Sequence, residues 1–145
     1  MERVNTFANI PIQVIDSQPA DGSVLAKTIL SEIHSMLLNL IDTGKTSCLD
    51  LRALPSLGTE GYEFLKNQLG KGEIKATIES FGRSDLYETA YSGIWFIDHF
   101  NQDDELYTEQ IEVSFLPELL KSHLDDVRLS ATRLSQYLEE LKEHH

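Results

Sequence analysis

Cysteine is nearly missing from this chain. The one residue present, Cys48, excludes an internal disulfide framework and suits a reducing compartment. Basic residues are scarce: 12 Lys and Arg stand against 24 Asp and Glu, a formal net charge of −12. The Lys and Arg are scattered singly, so no basic stripe answers a phosphate backbone, and nucleic-acid binding is set aside on charge. A basic or metal-bearing protein partner fits the charge better, although acidity also serves plain solubility. The opening Met1-Glu2-Arg3-Val4-Asn5-Thr6 has no positive region leading into an apolar run, so no secretory signal is read. No apolar segment is read as approaching membrane-span length, and the expected compartment is the cytoplasm. Repeats, low-complexity tracts and linker-like stretches are also lacking. At 145 residues, 41% hydrophobic and 25% charged, the composition predicts a single soluble domain over 1–143. Residues 1–9 read as a loose segment, and His144-His145 as either native or the remnant of a purification tag.

Catalytic signatures are missing as well. No Ser sits in a Gly-x-Ser-x-Gly elbow. The five histidines, at 34, 99, 123, 144 and 145, show no metal-binding spacing apart from the terminal doublet. Adjacent Asp98 and His99 point to opposite faces of a strand and cannot act as a pair. Gly70-Lys71-Gly72 lacks the remainder of a phosphate signature and reads better as a helix C-cap and turn. Cys48, between Ser47 and Leu49 in a strand, reads as a small hydrophobe rather than a nucleophile. Glu73, Glu79, Glu88, Glu109 and Glu112 lie in or beside strands. Two of them could meet as an acid–base pair, but such residues more often form a solvated face or receive backbone donors. No catalytic residue, metal or cofactor is expected.

What is present centres on residues 72–117, which read as three or four β-segments. Ile74, Ala76 and Ile78 alternate with Lys75, Thr77 and Glu79. Ile94-Trp95-Phe96-Ile97-Asp98-His99-Phe100, the polar loop Asn101–Glu105 and the return Leu106–Phe115 describe a β-hairpin. Ile10–Ile15 reads as an edge strand because Pro11 cannot donate to a central ladder. A helix capped by Asp21 or Ser23 is expected to run to Asp42 and stop at Gly44. Its stripe is Leu25, Ile29, Ile33, Met36, Leu37, Leu40 and Ile41, beside a second row of Leu30, His34 and Leu38, which predicts burial on more than one side. Thr46–Leu51 reads as a strand and Thr59–Leu69 as a helix, with Thr59 the N-cap and Gly70 at C′. Strand, helix and strand from Thr46 to Ser80 would make a crossover with the two strands parallel. The last helix starts at Ser122 and carries a heptad seam of Leu120, Leu124, Val127, Ala131, Leu134, Leu138 and Leu141. The seam is expected to pack on the domain's own sheet, with a coiled-coil homodimer as the alternative. The predicted class is α+β: a mixed, mainly antiparallel sheet of about four to six strands with three main helices around it.

Four blocks in order then resemble the HupH/HyaF hydrogenase expression/formation family, in its HupH C-terminal type of domain. They are Leu49-Asp50-Leu51-Arg52-Ala53-Leu54-Pro55, Leu69-Gly70-Lys71-Gly72-Glu73-Ile74, Glu88-Thr89-Ala90-Tyr91-Ser92-Gly93-Ile94-Trp95, and Ile111-Glu112-Val113 with Leu116-Pro117-Glu118-Leu119-Leu120. The chain departs from the family pattern at Ile94 for Val, at Phe96 where a basic or polar residue is common, and at Lys71 for an acid. Members are often longer, so this chain resembles the module alone. The resemblance implies an accessory protein of nickel–iron hydrogenase maturation: a chaperone for an unfinished subunit, with the small iron–sulfur one favoured, rather than an enzyme. A thioredoxin-like companion is a further implied partner. By position, Glu73, Glu88, Thr89, Trp95 and Glu112 are the implied protein-binding residues, with Gly72, Gly93 and Pro117 serving backbone geometry. Two other classes stay open beside this one: a self-associating interaction module, and a hydrolase working with two carboxylates.

Overall fold

The computed structural model describes residues 22–144, and the expected strand Ile10–Ile15 lies outside them. The chain divides into two compact units, one ending at Phe115 and one beginning at Leu116.

In the first unit, helix α1 spans Gly22–Thr43. Its buried residues Leu25, Ala26, Ile29, Ile33, Met36 and Leu40 recur at helical spacing. Gly44, at φ 73°, ends the helix as expected by donating its N–H to the Leu40 carbonyl at 2.8 Å. Strand β1, Ser47–Asp50, leads through two 3-10 turns, Leu51–Ala53 and Pro55–Leu57, into helix α2, Gly58–Leu69. The four remaining strands are β2 (Lys75–Glu79), β3 (Arg83–Glu88), β4 (Ile94–Phe100) and β5 (Leu106–Val113). They form one sheet in the order β1-β5-β4-β3-β2.

The α+β class, the helices and the β4–β5 hairpin are as the sequence predicts. The hairpin loop is held by Asn101, whose side-chain oxygen accepts the N–H groups of Asp103 and Glu105, both at 2.9 Å. The parallel crossover is not formed. Among the described residues β1 and β2 occupy opposite edges, and every pairing is antiparallel. The reason lies in the hairpins: β2 to β5 fold as a meander, and the outer edge of the last strand is left to receive β1. α2 also starts without the expected Thr59 cap, since Leu57 takes the N-cap position and contributes no side-chain bond. Its C-terminus follows expectation, with the Gly70 N–H donated to the Lys66 carbonyl at 2.9 Å.

Alternation and register give the sheet two distinct faces. Ile94, Phe96, Ile111 and Val113 join the α1 stripe and Leu65 and Leu69 of α2 in the core, with Leu49 and Tyr87 packed against it. The helices approach closely at two glycines: a Cβ on Gly61 would lie 2.7 Å from the Gly22 carbonyl oxygen. α1 is less covered than expected. In the second row Leu30 packs against the core, but His34 and Leu38 are exposed, and Ile41 at the end of the main stripe is 72% exposed. Contrary to the composition-based expectation, α1 is long and apolar enough to cross a membrane by length and composition, a property it shares with core helices.

In the second unit, Glu118–Leu120 is a 3-10 turn and helix α3 runs Leu124–Glu143. His123 rather than Ser122 is its N-cap, with Asp125 and Asp126 in the first turn. Within this unit no residue of α3, its apolar seam included, is buried.

Candidate functional site

The register of the sheet places Cys48, Glu112, Trp95 and Glu88 in a single row, on the face opposite Leu49, Ile111, Phe96 and Tyr87. Three of the five predicted protein-binding residues therefore belong to one row. The other two, Glu73 and Thr89, lie at its β3 end, where the glycine block meets the turn between β3 and β4.

That meeting point is built from backbone. Gly72 donates its N–H to the Glu88 carbonyl at 2.8 Å, and Glu88 donates to the Ile74 carbonyl at 2.9 Å. Ala90 reaches back to the carbonyl of Leu69 at 2.9 Å. A Cβ on Gly72 would stand 2.5 Å from the Thr89 carbonyl oxygen, so no side chain fits without backbone movement. The turn itself is closed by the Thr89 N–H to the Ile94 carbonyl at 2.9 Å. The Thr89 hydroxyl donates to the Tyr91 carbonyl and accepts the Tyr91 N–H, each at 3.1 Å. Gly93, at φ 93°, occupies left-handed space and donates its N–H to the Glu88 carboxylate at 3.1 Å. Its carbonyl accepts the Ser114 N–H at 3.0 Å, tying the turn to the end of β5.

The predicted residues thus divide by exposure. Glu73 is exposed and Glu88 half-buried, whereas Thr89, Trp95 and Glu112 are buried, at 2%, 2% and 4% exposed. Gly93 stands at positive φ, Gly72 packs against the Thr89 carbonyl, and Pro117 is fully buried. Glu112 accepts the Ser114 hydroxyl at 2.8 Å, and the Cys48 thiol points at its other oxygen across 4.0 Å. Cys48 is exposed at the sheet edge, yet its thiol pKa is raised by partial burial and by the Glu112 charge. Both effects disfavour the thiolate and so the nucleophile. The indole N–H of Trp95 is buried and has no hydrogen-bond partner.

A second polar group was missed by sequence reasoning. Asp98 continues the core-facing alternation Ile94, Phe96, Asp98, and that break in an apolar face was its signal. Its carboxyl pKa is raised by burial above all, with Glu109 and Asp85 adding and Lys66 opposing. Burial, followed by Asp98 and Glu63, pushes Tyr87 up to about 12. The Tyr62 hydroxyl is buried without a hydrogen bond of ordinary geometry, and its pKa rises through burial and the neighbouring Glu109 carboxylate. Among the described residues, no group of three or more His, Cys, Asp or Glu could hold a metal ion.

Together these features define an α+β fold in which Glu88, Thr89 and Gly93 lock a strand-to-strand turn beside the buried Trp95. The chain belongs to the family described as HupH hydrogenase expression protein, C-terminal conserved region, which it matches over residues 24–141. It is 32% identical over 132 residues to the hydrogenase expression/formation protein HupQ of Azotobacter chroococcum mcd 1, covering 86% of this chain and 46% of that protein. It is 26% identical over 123 residues to the hydrogenase expression/formation protein HupH of Rhodobacter capsulatus, covering 85% and 44%. The chain therefore spans under half the length of these curated relatives. The solved structure of the hydrogenase expression protein HupH from Thiobacillus denitrificans ATCC 25259 is similar, with TM-score 0.76 and 40% identity. That likeness covers 79% of this chain and 95% of the solved one.

Proposed function

We propose that this chain serves nickel–iron hydrogenase maturation as an assembly chaperone, holding an immature hydrogenase subunit, by preference the small iron–sulfur one. It acts by binding and makes or breaks no covalent bond. The observation that carries the reading is the family match over residues 24–141, joined by relatives whose names speak of hydrogenase expression and formation. The raised thiol pKa of Cys48 agrees with it, because the one cysteine is held as a poor nucleophile. In this reading the partner is met by exposed Glu73 and by the turn that Glu88, Thr89, Gly72 and Gly93 hold in shape. Trp95 and Glu112 support that turn from within. The work takes place in the cytoplasm, alongside a thioredoxin-like maturation companion.

The test is deletion of the gene in cells that make a nickel–iron hydrogenase, followed by complementation with the wild-type chain or with Glu73→Lys. The immature subunit should accumulate in the deletion, disappear with the wild-type chain and persist with Glu73→Lys. Normal maturation in the deletion strain would overturn the reading.

A further inference from the structure

Helix α3 is an amphipathic element whose apolar side is left uncovered within its own unit. Leu124, Val127, Leu134, Leu138 and Leu141 are 63%, 51%, 60%, 51% and 41% exposed. With Ala131 they fill the a and d positions of nearly three heptads. The positions flanking the seam carry two bases and no acid, while a third base, Arg133, lies at c. At e stand Arg128, Ser135 and Lys142, and at g stand Ser130 and Tyr137. Every acid of the helix, Asp125, Asp126, Glu139, Glu140 and Glu143, falls at b, c or f, away from the seam. In a chain of net charge −12 that segregation is informative. Arg128 and Lys142 make i,i+3 contacts with Asp125 at 3.7 Å and Glu139 at 3.8 Å. Such long, exposed pairs contribute little and exchange readily for a better-placed acid.

We propose that α3 is a docking seam for an amphipathic helix of a different protein, with apolar residues at its a and d positions and Asp or Glu at e and g. Apolar burial supplies the attraction, and the Arg128 and Lys142 side chains select the acidic flank. A second copy of this chain fits less well. Parallel pairing sets its e residues against Ser130 and Tyr137, and antiparallel pairing sets e against e, so neither brings an acid to the basic flank. The inference follows from the helix alone and does not depend on the hydrogenase reading.

The experiment uses the full chain and two labelled three-heptad peptides with Leu at a and d, one bearing Glu and the other Lys at e and g. Binding is followed by fluorescence anisotropy at low salt. Non-specific attraction to an acidic protein would favour the Lys peptide, so the expected order runs against the net charge. The Glu peptide should bind roughly tenfold more tightly, an advantage that shrinks as salt rises. The double variant Arg128→Glu/Lys142→Glu should reverse the order, and Leu134→Asp should abolish binding while circular dichroism keeps the helical signal. Equal affinity for the two peptides, or binding of neither, would overturn the proposal. So would sedimentation showing a dimer that Leu134→Asp converts to monomer, since the occupant would then be a second copy.

Discussion

The Glu88 carboxylate accepts the backbone N–H of Gly93 at 3.1 Å, across a turn of four residues. Two residues of the block Glu88–Trp95 are therefore hydrogen-bonded to each other. A carboxylate held by a backbone donor makes a charge-assisted bond, and losing it leaves that N–H to be satisfied elsewhere. Glu88→Ala should destabilise the domain by roughly 1–2 kcal/mol, while Glu88→Gln keeps an acceptor oxygen and should cost less than about 1 kcal/mol. Urea unfolding of the two variants checks the order; equal loss would mean that the bond contributes nothing.

The two motif glycines should fail for different reasons. Gly93→Ala forces a side chain into left-handed backbone space and should cost roughly 1–2 kcal/mol. Gly72→Ala instead pushes a methyl group to within 2.5 Å of the Thr89 carbonyl oxygen, so the contact between the glycine block and the turn must open. Hydrogen exchange distinguishes them. Gly72→Ala should deprotect the Gly72 and Ala90 amides selectively, and Gly93→Ala should act on the Thr89 and Ser114 amides.

Trp95 is 2% exposed, which makes it a packing residue in this fold. Trp95→Ala should cost roughly 3–5 kcal/mol in thermal or urea unfolding. Its indole N–H has no partner, so Trp95→Phe removes a buried donor together with some volume and should lose well under half as much. A Trp95→Ala variant of wild-type stability would place the residue at a surface instead.

The β4–β5 hairpin, α1 and the Gly70 cap were legible because each is local. Apolar–polar alternation flanks a loop built on Asn101, one stripe repeats at three and four residues, and a glycine follows the last helical turn. The neighbour of β1 was not legible, because a period of two says that a strand exists and nothing about which edge receives it. Exposure at Ile41, and along α3 from Leu124 to Leu141, was equally hidden, since a heptad marks a sticky face without naming what covers it. At the site, the motif residues could be read off, but not their sharing of work. Only the register shows Glu88, Trp95 and Glu112 in one row, two of them buried.

A pH dependence follows from Asp98. Burial, with Glu109 and Asp85, raises its carboxyl above the ordinary 3.8, against the pull of Lys66. The folded state then holds that proton more tightly than the unfolded chain. Its contribution is complete below the ordinary value and is lost as pH rises through the raised one. Asp98→Asn should remove this slope and match or exceed the wild type near neutrality. Thermal melts between about pH 3 and pH 7 test it, and an unchanged slope in the variant would assign the effect to another group.

Co-purification from cells producing a nickel–iron hydrogenase tests the proposed capture of an unfinished hydrogenase subunit. With a tag on the chain, the immature small subunit should be recovered and identified by mass, whereas the finished enzyme should not. Recovery of neither immature subunit, or equal recovery of the mature enzyme, would contradict the account.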